Sequence, residues 1–156
     1  MAVAVQPFEF GIAASSSSNT QAISEVTPGN TAVFWSMRCD GTAGATPTDS
    51  KVRMRLTSAT QLTLDRAGTA GAITARAAVV SGVTGLTNEH LAGSMTGAAQ
   101  QDIAVSPVAD VTEAFPLWSR TEGGGGSTYG DDDWDTVFYL DEDTVRRDTT
   151  FFTGSG

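Results

Sequence analysis

The chain has 156 residues, enough to bury a core without disulfide staples, and 40% of them are apolar, too many for a disordered chain. Only 17% are charged, and 18 acidic against 9 basic side chains leave a net charge of −9, which argues against binding nucleic acid or an anionic membrane surface. The single cysteine, Cys39, excludes an intramolecular disulfide and reads as a small buried hydrophobe within AVFWSMRC.

The N-terminal MAVAVQPFEF has no basic start and no long apolar run, so no signal peptide is expected, and no stretch reaches the roughly 20 apolar residues of a membrane span. Ala2–Phe10 reads as an opening strand. The Ser15–Ser18 run is a low-complexity loop. A short apolar strand then ends at Val26, and Pro28-Gly29-Asn30 is a turn signal. In the next strand, Val33, Trp35, Met37 and Cys39 share a face expected to be buried, and Phe34 takes the other. Asp40-Gly41 marks another turn.

VRMRL places Val52, Met54 and Leu56 on one face and Arg53 and Arg55 on the other, a period of two. QLTLD continues the pattern with Leu62 and Leu64 inward, and after the AGTAG turn ITARAAVV aligns Ile73, Ala75, Ala77 and Val79. Thr87–Ala99 opens with Asn and Glu but carries two glycines, so it reads as a loop with at most one helical turn. Gly123–Gly126 is a flexible hairpin tip, and TVFYL, apolar on both faces, is a central or covered strand. Short strands at this spacing predict an all-β fold: an antiparallel sandwich, or a barrel-like one, with little or no helix.

The chain also repeats itself. Residues 22–66 and 103–148 each run from a short strand ending in Val (Val26, Val108) to an aromatic-rich strand (Ala32–Arg38, Ala114–Arg120). Each then continues through a turn-rich loop to a strand ending in Leu (Leu56, Leu140) and a last strand after a Thr (Thr60, Thr144). The offset is 82 residues from Val26 to Val108 and 84 from Leu56 to Leu140. The expectation is one compact β domain over 1–156 with an internal duplication, 1–80 and 81–156. Ile73–Val80 could also serve as the second copy's opening strand.

The sharpest polar feature is the acidic segment 131–143, which holds seven of the 18 acids. Its Asp131, Asp132, Asp133 and Asp135 could form a solvated loop tip, a site for a hard cation, or a patch that docks on basic residues of a neighbouring subunit. The spacing does not fit an EF-hand loop. Tyr129 and Trp134 in the same loop suit interface anchors or sugar contacts, and Phe151 and Phe152 in the tail suit burial against a neighbour. His90 has no Ser or Cys motif to work with and reads as a surface histidine. No nucleophile elbow, metalloprotease helix, CxxC or phosphate loop is present, so neither enzyme activity nor a cofactor is expected.

The string AVFWSMR…DSKVRMRLTSATQLTLDR resembles a pattern of tailed-bacteriophage virion proteins, most specifically over Leu56–Arg66, LTSATQLTLDR. The resemblance covers about two-thirds of the chain. It implies a lectin-like β-sandwich, often duplicated, used as a head decoration or fibre-like component, and it brings no catalytic residue with it. On this basis the expected role is a capsid decoration (cement) protein on the outer surface of the virion head, assembled in the host cytoplasm. It would contact the major capsid protein or other virion subunits and associate as a dimer or trimer. A carbohydrate-binding module of a fibre or tail tip is the alternative, and a tail, connector or adaptor component a further one.

Overall fold

The structure is a computed structural model and describes residues 2–40, 46–90, 100–107, 110, 114, 137–141 and 144–148. It is all-β, as the sequence predicts, and resolves into two compact units: residues 1–90 with 119–128, and 91–118 with 129–156.

In the first unit the strands are β1 (Ala4–Ile12), β2 (Ser18–Ala22), β3 (Thr31–Asp40), β4 (Val52–Ser58), β5 (Gln61–Arg66) and β6 (Ala72–Ser81). They form two antiparallel three-stranded sheets, ordered β1-β6-β3 and β2-β5-β4. The period-two pattern decides which side of each sheet turns inward. Ile73, Ala75, Ala77 and Val79 from one sheet meet Val52, Met54, Leu62 and Leu64 from the other, all of them buried. Two layers closed over one apolar core make a sandwich. Ile23 and Val26 join this core from an irregular stretch after β2, not from the strand expected there. Their amides are held by the carbonyls of Thr60 and Ala59 at the β4–β5 turn.

β6 has β1 on one side and β3 on the other, so both its edges are filled within the first unit and it does not open the second. Val33, Trp35 and Cys39 pack against the core as expected, but Met37 is 42% exposed. It has the right parity for burial, yet β3 is an edge strand and no described neighbour reaches over Met37. Pro47–Ser50 forms a single helical turn, α1, and Pro28–Asn30 a 3₁₀ turn. The Thr87–His90 start of the helix candidate carries no regular structure, and 91–99 lie outside the described residues.

The second unit contains β7 (Gln100–Ala104), β8 (Val137–Asp141) and β9 (Thr144–Asp148) in the order β7-β9-β8. This is the order of β2-β5-β4: the first strand on one edge, the last in the middle. Ala22 pairs with Gln61 as Ala104 pairs with Thr144, and Leu56 with Leu62 as Leu140 with Val145. The β4–β5 ladder slips between Leu56 and Ser58, whereas β8–β9 runs without a slip. One bulge residue therefore separates the two hairpins in length.

The loops of the first unit are rich in Gly, Ala, Ser and Thr and have little to bury. A buried arginine secures them instead. Leu62 and Leu64 face inward on β5, and Arg66 continues that face at 4% exposure. Its Nε and Nη2 donate to the Ser16 carbonyl at 3.1 and 2.9 Å. Nη2 also reaches Gly71 O at 2.8 Å and Ala13 O at 3.4 Å, and Nη1 reaches Ala70 O at 2.7 Å and Asp49 O at 3.2 Å. The planar fork of five N–H groups thus joins the β1–β2 loop, α1 and the β5–β6 loop.

Asp49, itself buried, completes the knot. Its carboxylate accepts from the Thr46 hydroxyl and, at 2.8 Å, from the Ala70 amide. The Thr46 hydroxyl bond holds the Asp49 pKa below its usual value, helped by the Ala70 amide and the nearby Arg66 charge and opposed by burial. Two glycines let the β5–β6 loop lie this close. A Cβ on Gly68 would come within 2.1 Å of Asp49 Oδ1, and Gly71 turns through φ +66°.

Replacing Arg66 by Met, which keeps the stem and removes the fork, is expected to cost about 3–5 kcal/mol, since several buried carbonyls lose their donor together. Urea denaturation would measure this. Asp49→Asn is expected to cost about 1–3 kcal/mol at neutral pH. Because the folded-state pKa is depressed, that contribution is present above the unfolded value of about 4 and fades as pH falls through the folded one. The wild-type and Asp49→Asn midpoints should therefore converge in acid; a gap that stays constant to low pH would show that the carboxylate charge is not what Asp49 contributes.

Candidate interaction surface

The outer faces of the two sheets differ in chemistry. On β2-β5-β4 the outward residues are polar. Asp65 is shared by Arg53, at 3.0 and 3.3 Å, and Arg55, and the Thr57 and Thr63 hydroxyls meet at 2.9 Å. Two guanidiniums on one carboxylate leave this face with a surplus positive charge, and Arg55 Nε is buried without a hydrogen-bond partner.

The outer face of β1-β6-β3 is apolar at one end. Register places Val5 beside Val80 and Pro7 beside Ala78 on one side of the central strand, and Ala32 and Phe34 on the other. Val5 is 59% exposed and Phe34 44%. Pro7, Phe34 and Ala78 border a shallow depression of about 620 Å³, closed at its polar end by Glu9, Ser36 and Arg76. Arg76 bonds Glu9 at 2.7 Å, and Arg38 pairs with Asp40 at 3.1 Å. Exposed ion pairs of this kind contribute little to stability, but they make this end polar while keeping the face neutral. A flat apolar strip with a balanced charged rim has the chemistry of a protein contact.

Among the described residues, the polar side chains of Asn88 and His90 serve the structure. His90 is exposed, as expected, and its Nε2 lies 3.1 Å from the carbonyls of both Pro28 and Thr31, so the Nε2–H tautomer ties this segment to the start of β3. Asn88 Nδ2 donates to the same Thr31 carbonyl. Burial pushes the Cys39 thiol above its ordinary pKa, with Asp40 adding to the shift and Arg66 opposing it. That is the reverse of what a nucleophilic cysteine needs. Among the described residues no group of three or more His, Cys, Asp or Glu could hold a metal ion, and no helix is long and apolar enough to cross a membrane.

Of the residues singled out from sequence, Tyr129, Asp131, Asp132, Asp133, Trp134, Asp135, Phe151 and Phe152 lie outside the described residues. The sequence places them in a segment of distinct charge. Residues 1–90 carry six acids and six bases, whereas 91–156 carry twelve acids and three bases, so the net charge resides wholly in the latter. The apolar strip itself had a legible signal: Val5, Pro7 and Phe34 all fall on the outward parity of their strands.

Comparisons with protein-family models, with curated proteins and with solved structures give no match.

The raised thiol pKa makes a direct prediction. Cys39 in the native protein should react with a thiol reagent at pH 8 at least about tenfold more slowly than in the denaturant-unfolded chain. Equal rates would mean that the thiol is neither covered nor desolvated.

Proposed function

We propose that this chain is a structural protein of a tailed-phage virion, acting as a decoration or cement subunit that bridges capsid proteins on the outer surface of the head. The observation that carries the reading is the exposed apolar strip of Val5, Pro7 and Phe34 on a rigid sheet. Burying such a strip against a capsid subunit would add contact area at about 25 cal/mol per Å² of apolar surface, before the costs of association. A sheet face suits this task because its side chains are already ordered and lose little entropy on contact.

The resemblance of Leu56–Arg66 to virion proteins supports the same reading, and the hairpin those residues build, β4–β5, ends at the arginine that secures the loops. The shared order of β2-β5-β4 and β7-β9-β8 supports a duplicated unit. The mechanism is mechanical: a bridge between subunits raises the cost of separating them when packaged DNA presses outward. A negative charge confined to residues 91–156 suits a surface held away from that DNA.

Purified particles provide the test. The protein should be present in the high copy number of a head lattice, and particles stripped of it should lose integrity at lower temperature, with added wild-type protein restoring it. Val5→Asp, on the exposed strip and away from the core, should remain folded and fail to restore. A low copy number at the tail, or unchanged particle stability, would overturn the reading in favour of a fibre or adaptor role.

A further inference from the structure

Four strands of the first unit lie at sheet edges, and three carry a feature that discourages pairing with another chain. β1 places Pro7 at its rim, and the Asn19 side chain covers the Gly11 carbonyl there. Gln6 and Ser24 also exchange two hydrogen bonds across this edge, at 2.8 and 3.2 Å. β2 is five residues long and polar. β4 is bulged at Leu56/Ser58 and carries Arg53 and Arg55. Proline, short length, bulges and charge are the recognised means of blunting an edge.

Beyond Thr31, whose carbonyl is covered by Asn88 and His90, β3 has none of these along most of its length. It runs ten residues, pairs with β6 from Thr31 to Asp40 without a slip, and contains no proline; only Arg38 and Asp40 at its end are charged. Its free edge can be identified. The Thr31 amide donates to Pro28 and the Thr31 carbonyl accepts from Asn88, so both groups of Thr31 turn away from β6. Antiparallel alternation then turns the amides and carbonyls of Val33, Trp35, Met37 and Cys39 the same way. No described residue hydrogen-bonds to them. Met37, on the core side of the strand, is left 42% exposed.

We propose that β3 is a self-association edge, pairing antiparallel with β3 of a second copy about a two-fold axis at Ser36 to give a continuous six-stranded sheet. This register opposes Trp35 to Met37 of the second copy, covering the exposed methionine with an aromatic ring, a favourable sulfur contact. On the other face it opposes Phe34 to Arg38, a cation–π pair. Each pairing occurs twice by symmetry, as a two-fold interface requires. A second copy is the occupant that fits because the edge is complementary to itself and residues 1–90 have no net charge to oppose the approach of another copy. The inference deepens the oligomeric part of the proposed function, but it concerns association in solution and can fail or hold separately from the virion role.

The test is sedimentation of the purified full chain without particles. The wild type should form a dimer of the 16.1 kDa chain. Met37→Pro removes an outward amide at a position equivalent in orientation to Pro7 of β1, so the fold should survive by circular dichroism while dimerisation weakens at least about tenfold. Met37→Lys, which leaves the backbone unchanged, should weaken it in the same direction. Register is tested by Val33→Cys: residue 33 opposes Cys39 of the second copy, at the spacing of about 5.5 Å that a disulfide spans. Within one chain the two positions are about 20 Å apart along the strand. Oxidation at alkaline pH should give a covalent dimer, abolished when Cys39→Ser is added. A wild type that stays monomeric at every concentration would overturn the proposal, as would folded Met37→Pro and Met37→Lys proteins that dimerise normally.

Discussion

The first unit depends on a positive charge held almost entirely by backbone dipoles. Burying a guanidinium costs several kcal/mol unless its donors are satisfied, and Arg66 meets that requirement with main-chain oxygens from three separate loops. The exchange benefits both sides, because a glycine- and serine-rich loop turning inward has carbonyls that need donors as much as the arginine needs acceptors. Asp49 supplies the counter-charge without contacting Arg66 through its side chain. It takes the amide of Ala70 while Arg66 takes the carbonyl of the same residue, so one loop residue is held from both sides. A lysine could not substitute, since its three donors on a single nitrogen cannot span the fork.

The position of Arg66 also shows where sequence reasoning succeeded and where it failed. Alternation on β4, β5 and β6 places Val52, Met54, Leu62, Leu64, Ile73, Ala75, Ala77 and Val79 in the core correctly, because a sheet with one solvated face enforces a period of two. The same parity puts Arg66 inward, but charged side chains are so seldom buried that the alternation is naturally read as ending at Leu64. Met37 fails in the opposite sense: parity points it inward, while burial also requires a neighbour that strand order alone does not provide. The turn α1 has four residues, too few for any helical period to appear. Of the candidate interface, the outward parity of Val5, Pro7 and Phe34 is legible, but that they lie side by side and that β3 is an edge follow from pairing partners, which a sequence does not state.

The low charge density also has a structural meaning. The sandwich is electrically neutral, and the acidic excess belongs to residues 91–156. Two copies approaching through their acidic parts would repel one another over roughly a Debye length of 8–10 Å at physiological salt. Approach through the neutral sandwich carries no such penalty. On charge alone, the first unit is the part of the chain that offers a second copy no net repulsion.

Within that unit, the sheet edges narrow the choice further. Edge pairing draws its energy from backbone hydrogen bonds, which any sequence can offer, so its specificity has to come from blocking the wrong edges. Pro7 and the Gln6–Ser24 bonds do this for β1, and the bulge and arginines do it for β4. The same devices that keep three edges solvated leave β3 as the direction in which the sheet can grow. They also leave the Val5–Pro7 strip free on the outer face. An outer face and an edge can be occupied together, so one rigid sandwich could bind a large subunit across its surface while pairing with its own kind along its rim.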